Sequence, residues 1–283
     1  MLSVMLAPLL KARKLSAMHP MLNIAVKAAR QAGDIIIRSA DSLGTLTVTT
    51  KSQNDFVTEV DKRAEMEIIQ ILSTAYPDHG FIAEESNPVN QDAEYVWIID
   101  PLDGTTNFIH GFPHYAVSIA LTRRGVVEQA VIYDPVRQDL FTASVGKGAT
   151  LNNRRLRVSR QTKIEGAFLG TGFPFKNRPN IESYLDIFRD IFSITAGVRR
   201  AGAASLDLAY VAAGKLDGFF EIGLKPWDIA AGVLLIQEAG GVITDFGDDH
   251  DYFKTGNVVC GNPKMHRLLL DKIKPHVEKI IQP

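Results

Sequence analysis

The sequence predicts an α+β fold, in which a largely antiparallel sheet comes first and alternating strands and helices follow. Between residues 81 and 151, short runs rich in β-branched and aromatic residues are separated by tight Gly and Asp-Pro turns. Short strands joined by tight turns are typical of antiparallel sheets. After about Ser159, strand-like and helix-like runs alternate, as they do in α/β layers. No Gly-, Ser- or Pro-rich linker separates the two parts, so we expect them to share one interface.

The first part begins with two helices. Apolar residues recur at helical spacing over residues 21–39 and 60–75, and Tyr76 with Pro77 ends the second helix. Between the helices, the polar segment 45–54 alternates Thr-Val-Thr and predicts a hairpin or a mobile loop. The predicted strands of this part are residues 81–83, 96–99, 115–122, 126–134, 140–144 and 149–151.

The second part repeats a strand-then-helix pattern. Its predicted strands are residues 167–171, 218–222, 241–245 and 258–260. Its predicted helices are residues 181–192, 205–213, 226–239 and 263–273. We therefore predict one α+β part, residues 18–158, that carries an antiparallel sheet and a metal motif, and an α/β part, residues 159–283, that completes the active site.

Residues 1–17 are predicted to stand apart from the fold. Their basic residues, at positions 11, 13 and 14, follow the apolar run, whereas a secretory signal places its charges before it. The segment is therefore expected to be a flexible leader, or the start site has been assigned too early and Met18 is the working start.

Composition narrows the class of protein. The 283 residues are 46% hydrophobic and 22% charged, which suits one large or two intimately packed domains. A net charge of −1 gives no global field that would attract nucleic acid or an anionic membrane. Cys260 is the one cysteine and lies in an apolar run, so we expect a buried structural thiol. No apolar stretch reaches the roughly 18 residues that span a bilayer, and we expect a soluble, cytoplasmic protein.

The segment YVWIIDPLDGTTNF, residues 95–108, carries the strongest functional signal. A strand-like run ends at Asp100, and Pro101 stiffens the turn that brings Asp103 back beside it. Gly104 then leaves backbone N–H groups open to an anion. An ordinary turn would explain one aspartate, but two carboxylates about 5 Å apart repel by roughly 3 kcal/mol at an effective dielectric near 20. A bound cation would explain both, so the segment predicts a metal and phosphate site.

Other carboxylates are candidates for the same site. Glu84 and Glu85 follow a short strand, Asp61 lies at the start of the second helix, and Asp228 lies in the first turn of a later helix. Each alone has an ordinary explanation, as a solvated acidic loop or as helix-start chemistry. Because all these donors are oxygens, and no His or Cys cluster lies among them, Mg²⁺ or Mn²⁺ fits better than Zn²⁺.

Taken together, the motifs DPLDGTTNF, AEES and PWDIAAG resemble those of the inositol monophosphatase family, over residues 18 to the C-terminus. Segments such as NDFVTEVD and DGFFEIGLKPWD are similar to the bacterial inositol-1-monophosphatases. The resemblance implies a layered αβαβα sandwich of the inositol monophosphatase and fructose-1,6-bisphosphatase type, usually a homodimer. It also implies Mg²⁺-dependent, lithium-sensitive hydrolysis of inositol monophosphate to inositol and phosphate, by direct attack of metal-activated water.

The resemblance also assigns metal ligands. Glu84, Asp100 and the backbone carbonyl of Leu102 would hold the first ion, and Asp100, Asp103 and Asp228 the second. A third, weaker ion would lie near Glu84, which is counted among the catalytic residues as well. Asp103 and Asp228 would also border the substrate.

The remaining assignments concern water and substrate. Thr105 and Asp61 would orient and deprotonate the attacking water. The N–H groups of Gly104 and Thr105 would receive the phosphate, and Ala204 and Glu221 would meet the inositol hydroxyls.

Two alternatives stay open at this point. One is a related sugar or nucleotide phosphatase, because Ala203 stands where many relatives carry Thr or Ser and the substrate preference is therefore open. The other is a transcription antitermination partner of RNA polymerase, acting through elongation factors, with phosphatase activity secondary. The basic runs 123–124, 154–157 and 199–200 would serve such binding, although such runs are usually solvated surface.

Overall fold

The computed structural model describes residues 18–40, 48–52, 55–174 and 180–279. The predicted leader and part of the predicted hairpin region therefore lie outside the described residues. The helices are α1 (Pro20–Ala40), α2 (Glu59–Ala75), α3 (Thr105–Ile109), α4 (Ile181–Phe192), α5 (Ala204–Ala212), α6 (Pro226–Glu238), α7 (Tyr252–Thr255) and α8 (Pro263–Ile273). A 3-10 helix at Lys274–Lys279 follows α8.

The strands form a short hairpin and two larger sheets. The hairpin pairs β1 (Val48–Ser52) with β2 (Asp55–Thr58). The strands of the first sheet are β3 (Gly80–Ala83), β4 (Tyr95–Asp103), β5 (Ala116–Arg123), β6 (Val126–Asp134), β7 (Asp139–Ser144), β8 (Gly148–Leu151) and β9 (Arg154–Arg155). Those of the second are β10 (Phe168–Thr171), β11 (Gly197–Arg199), β12 (Gly218–Glu221), β13 (Val242–Thr244) and β14 (Val258–Gly261).

The first sheet follows chain order from β3 to β9 and is antiparallel except for the β3–β4 pair. The second has the order β11-β10-β12-β14-β13. There β10 runs parallel to β11 and β12, whereas β14 is antiparallel to β12 and β13. The largely antiparallel first sheet is as predicted. The short elements β9, β11, α3 and α7 were not predicted from the sequence.

Helices and sheets alternate in five layers. Helices α1 and α2 cover one face of the first sheet, α5 and α6 lie between the two sheets, and α4 and α8 pack on the far side of the second sheet. The predicted αβαβα sandwich is confirmed. Because α5 and α6 are covered on both sides, they are apolar nearly all round, and the polar residues of α6 lie in its first and last turns.

Side chains on β4 alternate between two cores. Trp97 and Ile99 join the core under α1 and α2, whereas Ile98 joins the core around α5 and α6. This is the period of two that a strand buried on both faces must satisfy. Cys260 is fully buried, as predicted, and burial raises the pKa of its thiol. Within the described residues, no helix combines the length and apolar character that crossing a bilayer requires.

Gly232 fixes the close crossing of α5 and α6. A Cβ at this position would lie 2.4 Å from Leu208 Cδ1 and 2.6 Å from Leu208 Cβ, and the latter atom cannot move without the backbone. Gly232→Ala is therefore expected to lower the free energy of unfolding by about 1–3 kcal/mol through overpacking. Urea denaturation measures this. Gly197→Ala, which would approach the movable end of a side chain at 3.3 Å, is the control, and equal midpoints for the two variants would contradict the prediction.

Candidate active site

The two aspartates of the DPLD segment face the same side of the first sheet. Asp100 lies opposite Ser118 of β5, and Asp103 lies opposite Ala116, so three steps along β4 match two along β5. The extra residue forms a bulge, and since Ser118 and Ala116 share a face, their two partners do as well. The expectation that the strand ends at Asp100 was wrong, because the bulge lets pairing continue to Asp103.

Four carboxylates influence one another around Asp100. Asp100 is 1% exposed, and its pKa is raised well above the ordinary value, first by burial and then by the charges of Glu84, Asp103 and Asp228. Burial likewise raises the pKa of Asp103 to about 6, although hydrogen bonds from Ser205 oppose the shift. The structure thus brings together acidic residues that the sequence separates by up to 144 positions, from Glu84 to Asp228.

Glu84 reaches this cluster from the end of β3. Its backbone N–H donates to the carbonyl of Ile99 at 3.2 Å, which keeps it beside β4. The next residue, Glu85, donates its N–H to Glu65 Oε2 at 2.8 Å and so ties the strand end to α2. The buried Glu65 was missed from the sequence, since only the fold shows what its carboxylate accepts.

Asp228 reaches the cluster from the first turn of α6. The N–H of Lys225 donates to Asp228 Oδ2 at 2.6 Å, and Pro226 supplies the fixed φ that suits a helix start. The carbonyl of Trp227 accepts a hydrogen bond from Ser118 Oγ at 3.3 Å, which fastens this end of α6 to β5 beside Asp100. The side chain of Asp228 therefore both begins the helix and faces the other carboxylates.

Asp61 and Thr105 form a direct pair. Thr58 caps α2, and its backbone N–H donates to Asp61 Oδ2 at 2.9 Å. The Thr105 hydroxyl donates to Asp61 Oδ1 at 2.9 Å and also lies 3.1 Å from the carbonyl oxygen of Leu102. Asp61 is fully buried, and burial raises its pKa. The two residues predicted to act on water are thus in contact, next to the metal motif.

Gly104 makes the turn between β4 and α3. Its φ of +97° lies in the left-handed region, and an added Cβ would approach the carbonyl oxygen of His114 to 3.0 Å. A glycine is required there on both counts. The backbone of Gly104 and Thr105 consequently begins a helical turn directly beside Asp103, where an anion would be placed.

The start of α5 holds Asp103. Ser205 donates both its backbone N–H, at 2.7 Å, and its hydroxyl, at 2.5 Å, to Asp103 Oδ2. Ala204, predicted to meet the substrate, is the buried first residue of this helix. Ser205 was missed, because nothing in the local sequence indicates a bond to a residue 102 positions away.

Removal of the Ser205 hydroxyl should leave the Asp103 carboxylate less firmly positioned, because one of the two hydrogen bonds from Ser205 is lost. Ser205→Ala keeps the backbone bond and the small size, and, if Asp103 holds a metal ion as predicted, we expect it to lower kcat/KM for inositol-1-phosphate by about 10–100-fold, as is usual when a residue that supports a metal ligand is removed. Steady-state kinetics at several Mg²⁺ concentrations measure the effect. Ser144→Ala, which removes a hydroxyl bound to Gln129 on the first sheet, is the matched control. Equal activity of the two variants would contradict a positioning role.

Glu221 lies at the end of β12 and is half-buried. Its carboxylate occupies the space that a side chain at Gly172 would fill. Burial raises its pKa, and the charges of Asp207 and Asp228 add to the shift while Arg200 opposes it. Glu221 is therefore close to the carboxylate cluster, and its predicted contact with the substrate's hydroxyls stays a prediction. Asp207 and Arg200 were not recognised from the sequence.

The donor set fits a hard divalent cation. The converging groups are carboxylates; burial first, and then their mutual repulsion, raises the pKa values of Asp100 and Asp103, and a bound cation would relieve the repulsion. In the part of the chain that the structure describes, no three acidic, His or Cys side chains are already close enough to form a complete cage. The individual ligand roles of Glu84, Asp100, Leu102, Asp103 and Asp228 therefore stay predictions.

Comparison with known proteins agrees with the fold and the motifs. A model described as the inositol monophosphatase family matches residues 17–282. The chain belongs to this family. A family relative, Nus factor SuhB of Pseudomonas aeruginosa, is 55% identical over 92% of this chain and 98% of its own length.

Solved structures of the family have the same architecture. The extragenic suppressor protein suhB of Bartonella henselae is 42% identical, with a TM-score of 0.88, covering 90% of this chain and 99% of that one. The inositol monophosphatase of Anabaena is 38% identical, with a TM-score of 0.81, covering 90% and 95%. The predicted family and fold are therefore confirmed, and the family as a whole implies a phosphatase.

Proposed function

We propose that the chain is a Mg²⁺-dependent phosphatase that hydrolyses inositol monophosphates to inositol and inorganic phosphate. The observation that carries this proposal is the convergence of four carboxylates around Asp100, beside the hydrogen-bonded pair of Asp61 and Thr105. A phosphate monoester is itself an anion, so a site built from acids requires cations before it can bind one. Two or three Mg²⁺ ions would suit the number of carboxylates, and Mn²⁺ offers the same coordination chemistry.

When bound, Mg²⁺ would neutralise the charge of the phosphate, lower the pKa of a bound water and stabilise the leaving alkoxide. Glu84, Asp100, Asp103, Asp228 and the carbonyl of Leu102 would hold the ions.

The chain's other groups act on water and phosphate. Thr105 orients the attacking water, and Asp61 accepts its proton while the water oxygen bonds to phosphorus. The N–H groups of Gly104 and Thr105 receive phosphate oxygens. The bond from phosphorus to the inositol oxygen breaks, and the released alkoxide takes a proton from solvent. No covalent phospho-enzyme forms in this scheme.

The substrate preference is proposed from Glu221 and Ala204. A carboxylate accepts hydrogen bonds from two neighbouring hydroxyl groups, and the charge of Glu221 interacts with Asp228 and Asp103 of the cluster, so Glu221 is close enough to meet the alcohol of a bound ester. Inositol presents such hydroxyls, but so do sugar phosphates and nucleotides. A panel of inositol-1-phosphate, fructose-1,6-bisphosphate and 3′-phosphoadenosine phosphate, compared by kcat/KM, separates these substrates.

Removal of metal should abolish turnover. Phosphate release from inositol-1-phosphate is expected to vanish after chelation with EDTA and to return on addition of excess Mg²⁺, because the phosphate and the carboxylates would otherwise repel each other. Lithium is expected to inhibit the restored activity. Unchanged turnover in EDTA would refute metal dependence, and absence of turnover with Mg²⁺ on all three substrates would refute the phosphatase.

We also propose a second function, association with RNA polymerase through an elongation factor during antitermination. The 55% identical relative from Pseudomonas aeruginosa is a Nus factor, which favours this second function. Of the basic runs, the pair Arg123 and Arg124 is partly neutralised, since both residues pair with Glu94, at 2.9 and 3.3 Å. A pull-down with the Asp103→Asn variant tests separability: binding that survives the loss of turnover supports two independent roles.

Two further expectations accompany the function. We propose that the protein works in the cytoplasm, where RNA polymerase is found, and that it is a homodimer. Sedimentation velocity tests the dimer, and a monomer at micromolar concentration would contradict it.

A further inference from the structure

We propose that Gly172 is a specificity-determining residue, because its missing side chain leaves room for the Glu221 carboxylate beside the alcohol of a bound phosphate ester. An ester whose alcohol carries adjacent hydroxyl groups is then preferred. The inference rests on the proposed phosphatase function and on the predicted contact of Glu221 with the substrate. It adds the residue on the neighbouring strand end that decides where this carboxylate lies.

Gly172 and Glu221 lie side by side at the ends of two parallel strands. Strands β10 and β12 pair in parallel, with Thr171 opposite Phe220. One residue further along each chain come Gly172 and Glu221, so their side-chain positions are adjacent. The Thr171 hydroxyl donates to the carbonyl of Phe220 at 2.9 Å. This bond fastens the two strand ends together, and neither backbone can readily move away from the other.

The Glu221 side chain lies across Gly172. A Cβ added at Gly172 would lie within 3.0 Å of Glu221 Cδ, Oε1 and Oε2, which are its three nearest heavy atoms. Ordinary van der Waals contact begins at 3.4 Å, so the carboxylate would have to move. It is the far end of a flexible side chain, and the φ of Gly172 is not among the positive ones that exclude alanine. An alanine at this position should therefore displace the carboxylate and leave the fold intact.

A displaced carboxylate changes which esters bind well. The charges of Asp228 and Asp103 add to the effect of burial in raising the pKa of Glu221, which places its carboxylate near the cluster. A hydroxyl group that donates to such a half-buried acid makes a charge-assisted hydrogen bond. An alcohol without hydroxyls leaves the acid unpaired, and this is how a site rejects an analogue that lacks the polar group.

The test compares two substrates in the presence of Mg²⁺. Inositol-1-phosphate carries hydroxyls next to the ester, whereas p-nitrophenyl phosphate carries none. In Gly172→Ala the ratio of their kcat/KM values, inositol-1-phosphate over p-nitrophenyl phosphate, should fall about 10–100-fold, as expected when a hydrogen bond to a charged group is lost. Gly197→Ala, in β11 of the same sheet, is the matched control and should keep the wild-type ratio, because the nearest atom there is 3.3 Å away.

A double variant shows whether the effect passes through Glu221. Glu221→Ala removes the carboxylate and should lower the ratio by itself. Adding Gly172→Ala to it should cause no further fall, because no carboxylate remains to be displaced. If Gly172→Ala alone does not fold, as judged by circular dichroism, the double variant carries the test: it should fold and match Glu221→Ala.

Three results would overturn the proposal: a wild-type ratio in Gly172→Ala, an equal fall caused by this change with and without the Glu221 carboxylate, or a double variant that does not fold. Failure of the proposed function would look different, because the wild-type protein would then hydrolyse neither substrate. Crystal structures of wild type and Gly172→Ala decide the steric step without turnover. The Glu221 carboxylate should be displaced in the variant, and an unmoved carboxylate would overturn the proposal.

Discussion

Asp228→Asn should lower kcat/KM for inositol-1-phosphate by more than roughly 100-fold, beyond the 10–100-fold typical of residues that merely support a ligand. An asparagine oxygen can still accept the N–H of Lys225, as Asp228 Oδ2 does at 2.6 Å, so α6 should start as before. What is lost is one negative charge facing Asp100 and Glu221. The loss therefore falls on cation binding and not on folding.

Calorimetric titration with Mg²⁺ separates these effects, because the variant should bind the metal more weakly while its urea midpoint stays near wild type. The control is Asp186→Asn, which removes an acid paired with Arg189 on α4, away from the cluster. Turnover close to wild type in Asp228→Asn would refute the assignment of this residue as a metal ligand.

Many helices and strands could be predicted because the local sequence favours the same element, with the same bounds, that packing in the fold stabilises. The helix predicted over residues 263–273 has those bounds in the structure, since Asn262 caps it with bonds to the N–H groups of Lys264 and Met265, and Pro263 opens it. The strand predicted over residues 126–134 also keeps its bounds, because it is long and buried on both faces. Such elements carry their own start and stop signals.

The bulge in β4 could not be predicted. A proline lacks the N–H that a ladder needs, so Pro101 indicated the end of the strand, whereas a bulge tolerates it. The two-residue β9 and three-residue β11 are too short to show any periodicity and form only because a neighbour is present. Local pattern has no information about that neighbour.

Among the residues of the candidate site, those within local motifs were predicted, and those whose role depends on distant contacts were not. Residues within motifs, such as Asp100 and Asp103, were found because two acids in one short turn are costly without a cation. Ser205 and Asp207 were missed because their importance depends on what faces them across the fold. A serine in the first turn of a helix is ordinary until Asp103 is placed beside it.

Asp61→Asn should lower kcat by about 100- to 10,000-fold, the range supplied by general acid–base catalysis. The amide can keep its oxygen toward the N–H of Thr58 and turn its NH₂ toward Thr105, whose hydroxyl then donates to the carbonyl of Leu102, 3.1 Å away. The α2 cap therefore survives, but the group no longer accepts a proton. In the wild type, burial raises the pKa of Asp61, so this base becomes protonated at a higher pH than an exposed aspartate would. As the pH is lowered, activity should therefore be lost at a higher pH than an exposed aspartate would give.

The comparison with Asp228→Asn makes the role of Asp61 testable. If Asp61 serves as a base and holds no metal, Asp61→Asn should bind Mg²⁺ with wild-type affinity in calorimetry while turnover is lost, and KM should change little. Glu59→Gln, at an exposed acid in the same first turn of α2, is the matched control and should keep full activity. A parallel loss of Mg²⁺ affinity and turnover in Asp61→Asn would instead make Asp61 part of the metal site, because only a group that contacts the ion weakens its binding directly.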